Sequence, residues 1–284
     1  VERDRRSPAA VHRRVGPPAP LTAERPVLLL GAAPDVADAL RAAGLIVTDD
    51  APPAPGAIVV IGGPAGERAA RTREAVDAGA HAFLAWPPGV SPTEAAALAA
   101  RADEAGVEVG AARPLPVGAL LAGVPGGWTS RLTTLAVEMS PEGPLGALPP
   151  AHVLAGALDL CAALAGTHDA ARMDAAAEGP LTAVAVRFRT GAVAHVALRA
   201  DAPEDRVALA AAGPGATVDA RSLAGPLCVD GRATPPAAPE HEAVAFVRAV
   251  GAGRRAPSTA DLWFSLDRAV ATMRLVEAVR DRLR

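Results

Sequence analysis

The fold is decided by the run Val27-Leu28-Leu29-Leu30-Gly31-Ala32-Ala33-Pro34-Asp35-Val36. Four aliphatic residues ending on glycine, with a proline opening the next segment, read as a short buried strand, a tight turn and a helix start. Working outward, Pro34 to Ala43 predicts a helix stopped by Gly44, and Leu45 to Thr48 a second strand closed by Asp49 and Asp50. A proline-rich loop leads to Ala57-Ile58-Val59-Val60-Ile61, a third apolar strand. Helices over 65–78 and 91–105 and strands over 81–86 and 107–112 continue the pattern. Short apolar strands alternating with helices predict a parallel, doubly wound sheet of the α/β class. The helix over 91–105 has the clearest start: Ser91 caps it, Pro92 takes the first helical position and Glu94 returns a bond to the cap.

Beyond Arg113 the pattern changes. Leu132 to Met139 predicts a strand, and Pro150 to Ala165 a helix stopped by Gly166. Leu181 to Phe188 and Ala192 to Arg199 alternate about Thr190-Gly191, and Arg206 to Ala211 and Ala216 to Ala220 about Gly213-Pro214-Gly215. Both are hairpin signals. Helices over 240–250 and 258–283, the latter opening on Ser258, close an α+β domain with an open antiparallel sheet. The expected organisation is an extension at 1–25, a Rossmann-like domain at 26–115 and an α+β substrate or oligomerisation domain at 116–284. The extension mixes Arg, Pro and Ala without a period that would bury a face.

None of the 28 basic residues is lysine, and Asn, Gln and Tyr are absent too. A GC-rich genome accounts for this in general, though arginine remained available wherever a cation was needed. The net charge of −3, without a basic stripe, argues against a nucleic-acid partner. No apolar run is long enough for a membrane helix, and residues 1–25 lack the apolar stretch of a secretory signal. Cys161 and Cys228 suggest neither a disulfide framework nor a metal site. A cytoplasmic, reduced protein without a bound metal is expected.

The segment Gly79-Ala80-His81-Ala82-Phe83-Leu84-Ala85-Trp86-Pro87-Pro88, followed by Ser91-Pro92-Thr93-Glu94, resembles the Gly-Lys-His-Val-(…)-Glu-Lys-Pro segment of the glucose-fructose oxidoreductase, inositol dehydrogenase and rhizopine-catabolism (Gfo/Idh/MocA) family. Gly79, His81 and Pro87 match, whereas Ala85 replaces the Glu and Trp86 the catalytic Lys. Gly213-Pro214-Gly215-Ala216-Thr217-Val218 resembles the family's Gly-x-x-Gly-x-(aliphatic) turn, and Arg254 to Asp261 its C-terminal Gly-x-x-Pro-x-(Thr)-x-x-Asp phrase. The resemblance extends over 26–284, with one helix–strand unit missing between Gly31 and the third strand. It implies a Rossmann domain followed by an α+β domain whose exposed sheet face forms a dimer interface. It also implies hydride transfer between NAD or NADP and a sugar, cyclitol or similar small metabolite.

The residues depart from that chemistry. A dinucleotide needs close backbone approach at the first turn, yet Ala33 and Val36 replace the second and third glycines of the fingerprint. Asp35 adds a carboxylate that repels phosphate. Asp49 and Asp50 lie where a ribose-binding carboxylate belongs, or simply form a turn after a strand. Gly62 and Gly63 end the third strand and admit a ligand or serve as a plain turn. With Gly31, Trp86 and Pro87 these make up the candidate cofactor-binding set. Trp86 cannot act as a base, because indole N–H only donates.

The family's His-x-x-Asp signature, counted back from Gly166, becomes Gly156-Ala157-Leu158-Asp159, so Asp159 is retained and the histidine is not. His152 lies one turn earlier on the same face, but the lean of helical side chains toward the N-terminus carries it away from the cleft. Asp159 and His152 are the candidate catalytic residues, and Arg113 is a candidate partner for Asp159. Two functions fit these residues: a divergent oxidoreductase, or a non-catalytic pseudo-oxidoreductase serving as scaffold or accessory subunit. A small-molecule ligand, a homo-oligomer and a protein partner are all compatible with them.

Overall fold

The computed structural model describes residues 26–49, 51–223, 225–234, 240–253 and 263–284. The extension at 1–25, Asp50, the proposed helix start at Ser258 and the Arg254 to Asp261 phrase lie outside the described residues.

The first half alternates as β1 (Val27–Leu30), α1 (Pro34–Ala42), β2 (Val47–Asp49), β3 (Ile58–Ile61), α2 (Ala65–Asp77), β4 (His81–Leu84), α3 (Pro92–Ala105), β5 (Val109–Ala112) and the short α4 (Gly118–Ala122). Then follow β6 (Leu132–Glu138), α5 (Pro150–Ala165), β7 (Ala170–Glu178), β8 (Leu181–Phe188), β9 (Val193–Arg199), β10 (Arg206–Gly213), β11 (Ala216–Ala220), β12 (Leu227–Val229) and β13 (Arg232–Thr234). The chain closes with α6 (Glu242–Gly251), β14 (Trp263–Ser265) and α7 (Leu266–Arg282).

Among the described residues the strands form two sheets. The first has the order β14-β5-β4-β3-β1-β2, and β2-β1-β3-β4-β5 are parallel. Every residue of β3 is buried, as expected of a central strand covered on both faces. Leu28, Val59, Ile61 and Leu84 face α2, α3 and α7, while Val27, Leu29, Val60 and Phe83 face α1 and α6. Because β2 and β3 flank β1, the chain crosses from one to the other without a helix, which is where the helix–strand unit is missing. The capping box of α3 forms as its sequence predicts: Ser91 Oγ accepts from Glu94 N–H, and Ser91 N–H donates to the Glu94 carboxylate.

The second sheet has the order β13-β12-β11-β10-β6-β9-β8-β7 and packs one face on α5. Most neighbours are antiparallel, but β6 and β9 run parallel, so the sheet is mixed rather than purely antiparallel. The helix α5 carries the chain from the end of β6 back across the sheet, and three strands then meander to reach β6 from its other side. Residues Val153 to Ala165 of α5 are all buried, consistent with a helix that is apolar all round.

The sequence reading places all of 116–284 in the second domain, yet β14 pairs with β5 on the first sheet and α6 covers that sheet. The edge of β5 offers unpaired backbone groups, which β14 satisfies. Trp263 packs edge-on to Phe246 at 4.9 Å, and both rings sit against Gly110, where an added Cβ would approach either ring at 2.7 Å. The last helix starts at Leu266 with Ser265 as its cap.

Candidate functional site

In an open parallel sheet, ligands bind beyond the carboxyl ends of the strands where the winding reverses. Here that crevice lies between β1 and β3, whose order reverses beside β2. Gly31 turns with φ +64°, and Gly63 with φ +74°. Gly62 is pressed so closely on the first turn that an added Cβ would lie 2.6 Å from the Gly31 carbonyl oxygen. The sequence-predicted glycines therefore do meet at one point.

Two arginines of α2 occupy the space above them. Arg68 Nε donates to the Gly63 carbonyl at 2.9 Å, and its Nη1 donates to the Ala85 carbonyl at 3.2 Å and to the Pro87 carbonyl. It ties the end of β3 to the loop after β4. Arg71 lies over the first turn: a Cβ on Gly31 would fall 2.6 Å from its Nη1, and its Nη2 pairs with Glu67 at 2.8 Å. Ala33 opens α1 without a side-chain cap, and Asp35 stands exposed in the first turn. Asp49 lies at the end of β2, exposed and 3.9 Å from Arg41.

A pyrophosphate over Gly31 would have to displace Arg71 or bind to it, and would do so beside the carboxylates of Asp35 and Glu67. A nicotinamide at the ends of β3 and β4 would meet Arg68 in place.

Trp86 and Pro87, joined by a cis peptide, follow β4. The indole is partly buried and packs against the cores of both domains. Its ring centroid is 6.1 Å from that of His152. The expected lean of His152 away from the cleft is therefore corrected: the N-terminal turn of α5 itself points into the junction, so a backward lean brings the ring to Trp86. Burial pulls the His152 imidazole below its usual range, a hydrogen bond to the Pro114 carbonyl opposes this, and the charge of Arg68 adds to the lowering. The ring is neutral at pH 7, one nitrogen donating to Pro114 and the other an acceptor.

The histidine position of the family signature is filled from elsewhere. Gly156 abuts Leu115, whose Cγ would sit 2.2 Å from a Cβ at that position. One turn on, Asp159 is fully buried and engaged: Arg113 Nη1 lies 2.6 Å from Oδ2, and His168 Nε2 lies 3.2 Å from Oδ1. Arg113 is thus the partner of Asp159. The carboxylate meets internal cations rather than the cavity beside Trp86 and His152. Burial opposes ionisation of Asp159, but the charges and hydrogen bonds of Arg113 and His168 outweigh it and hold the carboxyl below its ordinary range.

Glu242, in the first turn of α6, faces the same cluster. Burial pushes it up to about 8, against the opposing charge and backbone N–H of Arg113 and with the Asp159 charge reinforcing the rise. Its folded value exceeds its unfolded value of about 4.3, so its contribution to stability is full below that pH and is lost as pH rises through 8. Glu242→Gln is expected to stabilise the protein by about 2 kcal/mol at pH 8.5 and to change little at pH 4.5. Urea unfolding at the two pH values checks this; equal differences at both would contradict it.

The sequence reading missed Arg68, Arg71, Leu115 and Glu242. A signal existed for the arginines: α2 starts directly after Gly62-Gly63-Pro64, and side chains in its first turns lean back toward the strand ends. Leu115 carries no such signal.

Among the described residues no helix is long and apolar enough to cross a membrane. No family model matches the chain, and no curated protein is similar to it in sequence. Solved structures do match. UDP-N-acetylglucosamine 3-dehydrogenase from Acidithiobacillus ferrooxidans aligns with TM-score 0.71 and 16% identity over 91% of this chain and 97% of its own. An NAD binding oxidoreductase from Klebsiella pneumoniae gives 0.70 and 15% over 92% and 97%. Biliverdin reductase from Synechocystis, solved with biliverdin and NADP+, gives 0.62 and 13% over 92% and 99%. This chain has the two-domain fold of these dehydrogenases and reductases, which is the fold its resemblance to the Gfo/Idh/MocA oxidoreductases implies.

Proposed function

We propose that this chain is a non-catalytic pseudo-oxidoreductase, a binding or scaffold protein built on a dehydrogenase fold. The observation that carries this reading is Arg68, whose guanidinium bridges the Gly63, Ala85 and Pro87 carbonyls across the strand ends. Arg71 over Gly31 and Leu115 against Gly156 support it. Loss of two fingerprint glycines, with carboxylates near the phosphate turn, is expected to weaken NAD or NADP binding by about 2–4 kcal/mol, roughly 30- to 1,000-fold. Calorimetric titration with both cofactors, oxidised and reduced, tests this. A low-micromolar dissociation constant would overturn it, and Arg71→Ala separates the two roles of that side chain. If Arg71 fills the site, the variant binds as the parent does or more tightly; if it holds phosphate, binding falls.

A second reading rests on His152. A neutral imidazole beside Trp86 is a group able to move a proton, as a divergent oxidoreductase acting on a sugar, cyclitol or small metabolite would require. Tight cofactor binding would favour it.

We also propose that the outer face of the second sheet joins two copies of the chain. Val184, Val186 and Phe188 point inward. The outer face carries a row of alanines across five strands, Ala176, Ala183, Ala197, Ala136 and Ala208. Beside it, Glu138 pairs across the ladder with both Arg199 and Arg206. A largely apolar floor with a rim of alternating charge complements itself under a twofold axis. Sedimentation at tens of micromolar should show a dimer, and Ala136→Arg a monomer; a monomeric parent would defeat the proposal.

A further inference from the structure

A cavity of about 310 Å³ opens where the loop after β4, the start of α5 and the last turns of α7 converge. Its volume is near the lower end of the roughly 300–1,000 Å³ typical of small-molecule sites, too small for a dinucleotide. Trp86, Met273 and Val276 make its apolar walls, and the imidazole of His152, which burial favours in the neutral form, lines it as well. Glu277 and Arg280 stand at its mouth, three residues apart on one face of α7. Neither is in an ion pair among the described residues, although both are charged and adjacent.

A pocket with an apolar interior and one unpaired charge of each sign at its entrance complements a small zwitterion. We propose that this cavity binds an aromatic α-amino acid, its carboxylate on Arg280, its ammonium on Glu277 and its ring against Trp86, Met273 and Val276. An indole N–H or phenol O–H would lie within reach of the His152 ring. The site uses neither the glycine crevice nor the α2 arginines, so it stands whether or not a dinucleotide binds there.

Calorimetric titration of the full chain with L-tryptophan, tryptamine and indole-3-propionate tests the proposal. L-Tryptophan should bind about 10-fold or more tightly than either singly charged analogue, the scale of one charge-assisted contact. Arg280→Ala should abolish its advantage over tryptamine, and Glu277→Ala its advantage over indole-3-propionate. Both residues are exposed, so the variants keep the fold, and circular dichroism verifies this. No saturable binding up to millimolar L-tryptophan, or advantages that persist in both variants, would overturn the assignment.

Discussion

Asp159→Ala is expected to lower the unfolding free energy by about 3–5 kcal/mol. The carboxylate has no solvent exposure, and the Arg113 side chain facing it has 1%. Removing the carboxylate takes from a buried guanidinium its ion-pair partner at 2.6 Å and leaves His168 without that acceptor, so the penalty is that of a buried charge less well compensated. Replacing both partners, as Arg113→Met with Asp159→Leu, is expected to recover most of the loss, because a packed apolar pair carries no desolvation cost. The pH dependence has a definite sign. Asp159 titrates below its ordinary range in the folded chain, so its contribution is present above about pH 4 and is lost as pH falls through the depressed value. The double variant should lose that acid-sensitive component. Urea unfolding of the parent, single and double variants from pH 3 to 7 decides the matter. A single-variant loss below about 1 kcal/mol would mean that water reaches the pair and that its burial is not what holds α5 to the end of β5.

Gly156→His, which rebuilds the missing half of the signature, is expected to destabilise the protein by about 3 kcal/mol or more. Even a methyl group there would collide with Leu115, and the site is enclosed within α5. An imidazole must expel that leucine or distort the helix. Leu115→Ala in the same chain should restore much of the loss by opening the space, which distinguishes overpacking from a general intolerance of histidine. Adding Trp86→Lys to Gly156→His should not produce cofactor reduction with sugars or inositols under either cofactor. A lysine needs a positioned hydride acceptor, and Arg68 stands at the strand ends where a nicotinamide would lie. Cofactor reduction by this double variant, absent from the parent, would show an intact crevice and remove the basis for a non-catalytic role.

What the sequence by itself determined is what local chemistry specifies. The aliphatic runs at 27–30 and 58–61 read as buried parallel strands because every side chain in them is apolar. Ser91-Pro92-Thr93-Glu94 marks a helix start because its capping bonds span only three residues. Gly166 marks a helix end because it adopts φ +70° there. An acid within an apolar helix needs a cation, which points to Arg113 as the partner of Asp159. The glycines of the crevice were visible too, but not what covers them.

Where no local signal existed, only the tertiary structure decided. β7 was invisible, since Met173 is its one fully buried residue and alanines give almost no contrast between faces. The return of β14 to the first sheet follows from an unpaired strand edge far away in sequence. The contact of His152 with Trp86 depends on where the end of α5 is aimed, and the occupation of Gly156 by Leu115 on a loop whose path no periodicity records. Strand and helix signals repeat every two or 3.6 residues and are read within a few turns. The filling of a cleft depends on which distant side chains meet, and that is settled only when the two sheets pack together.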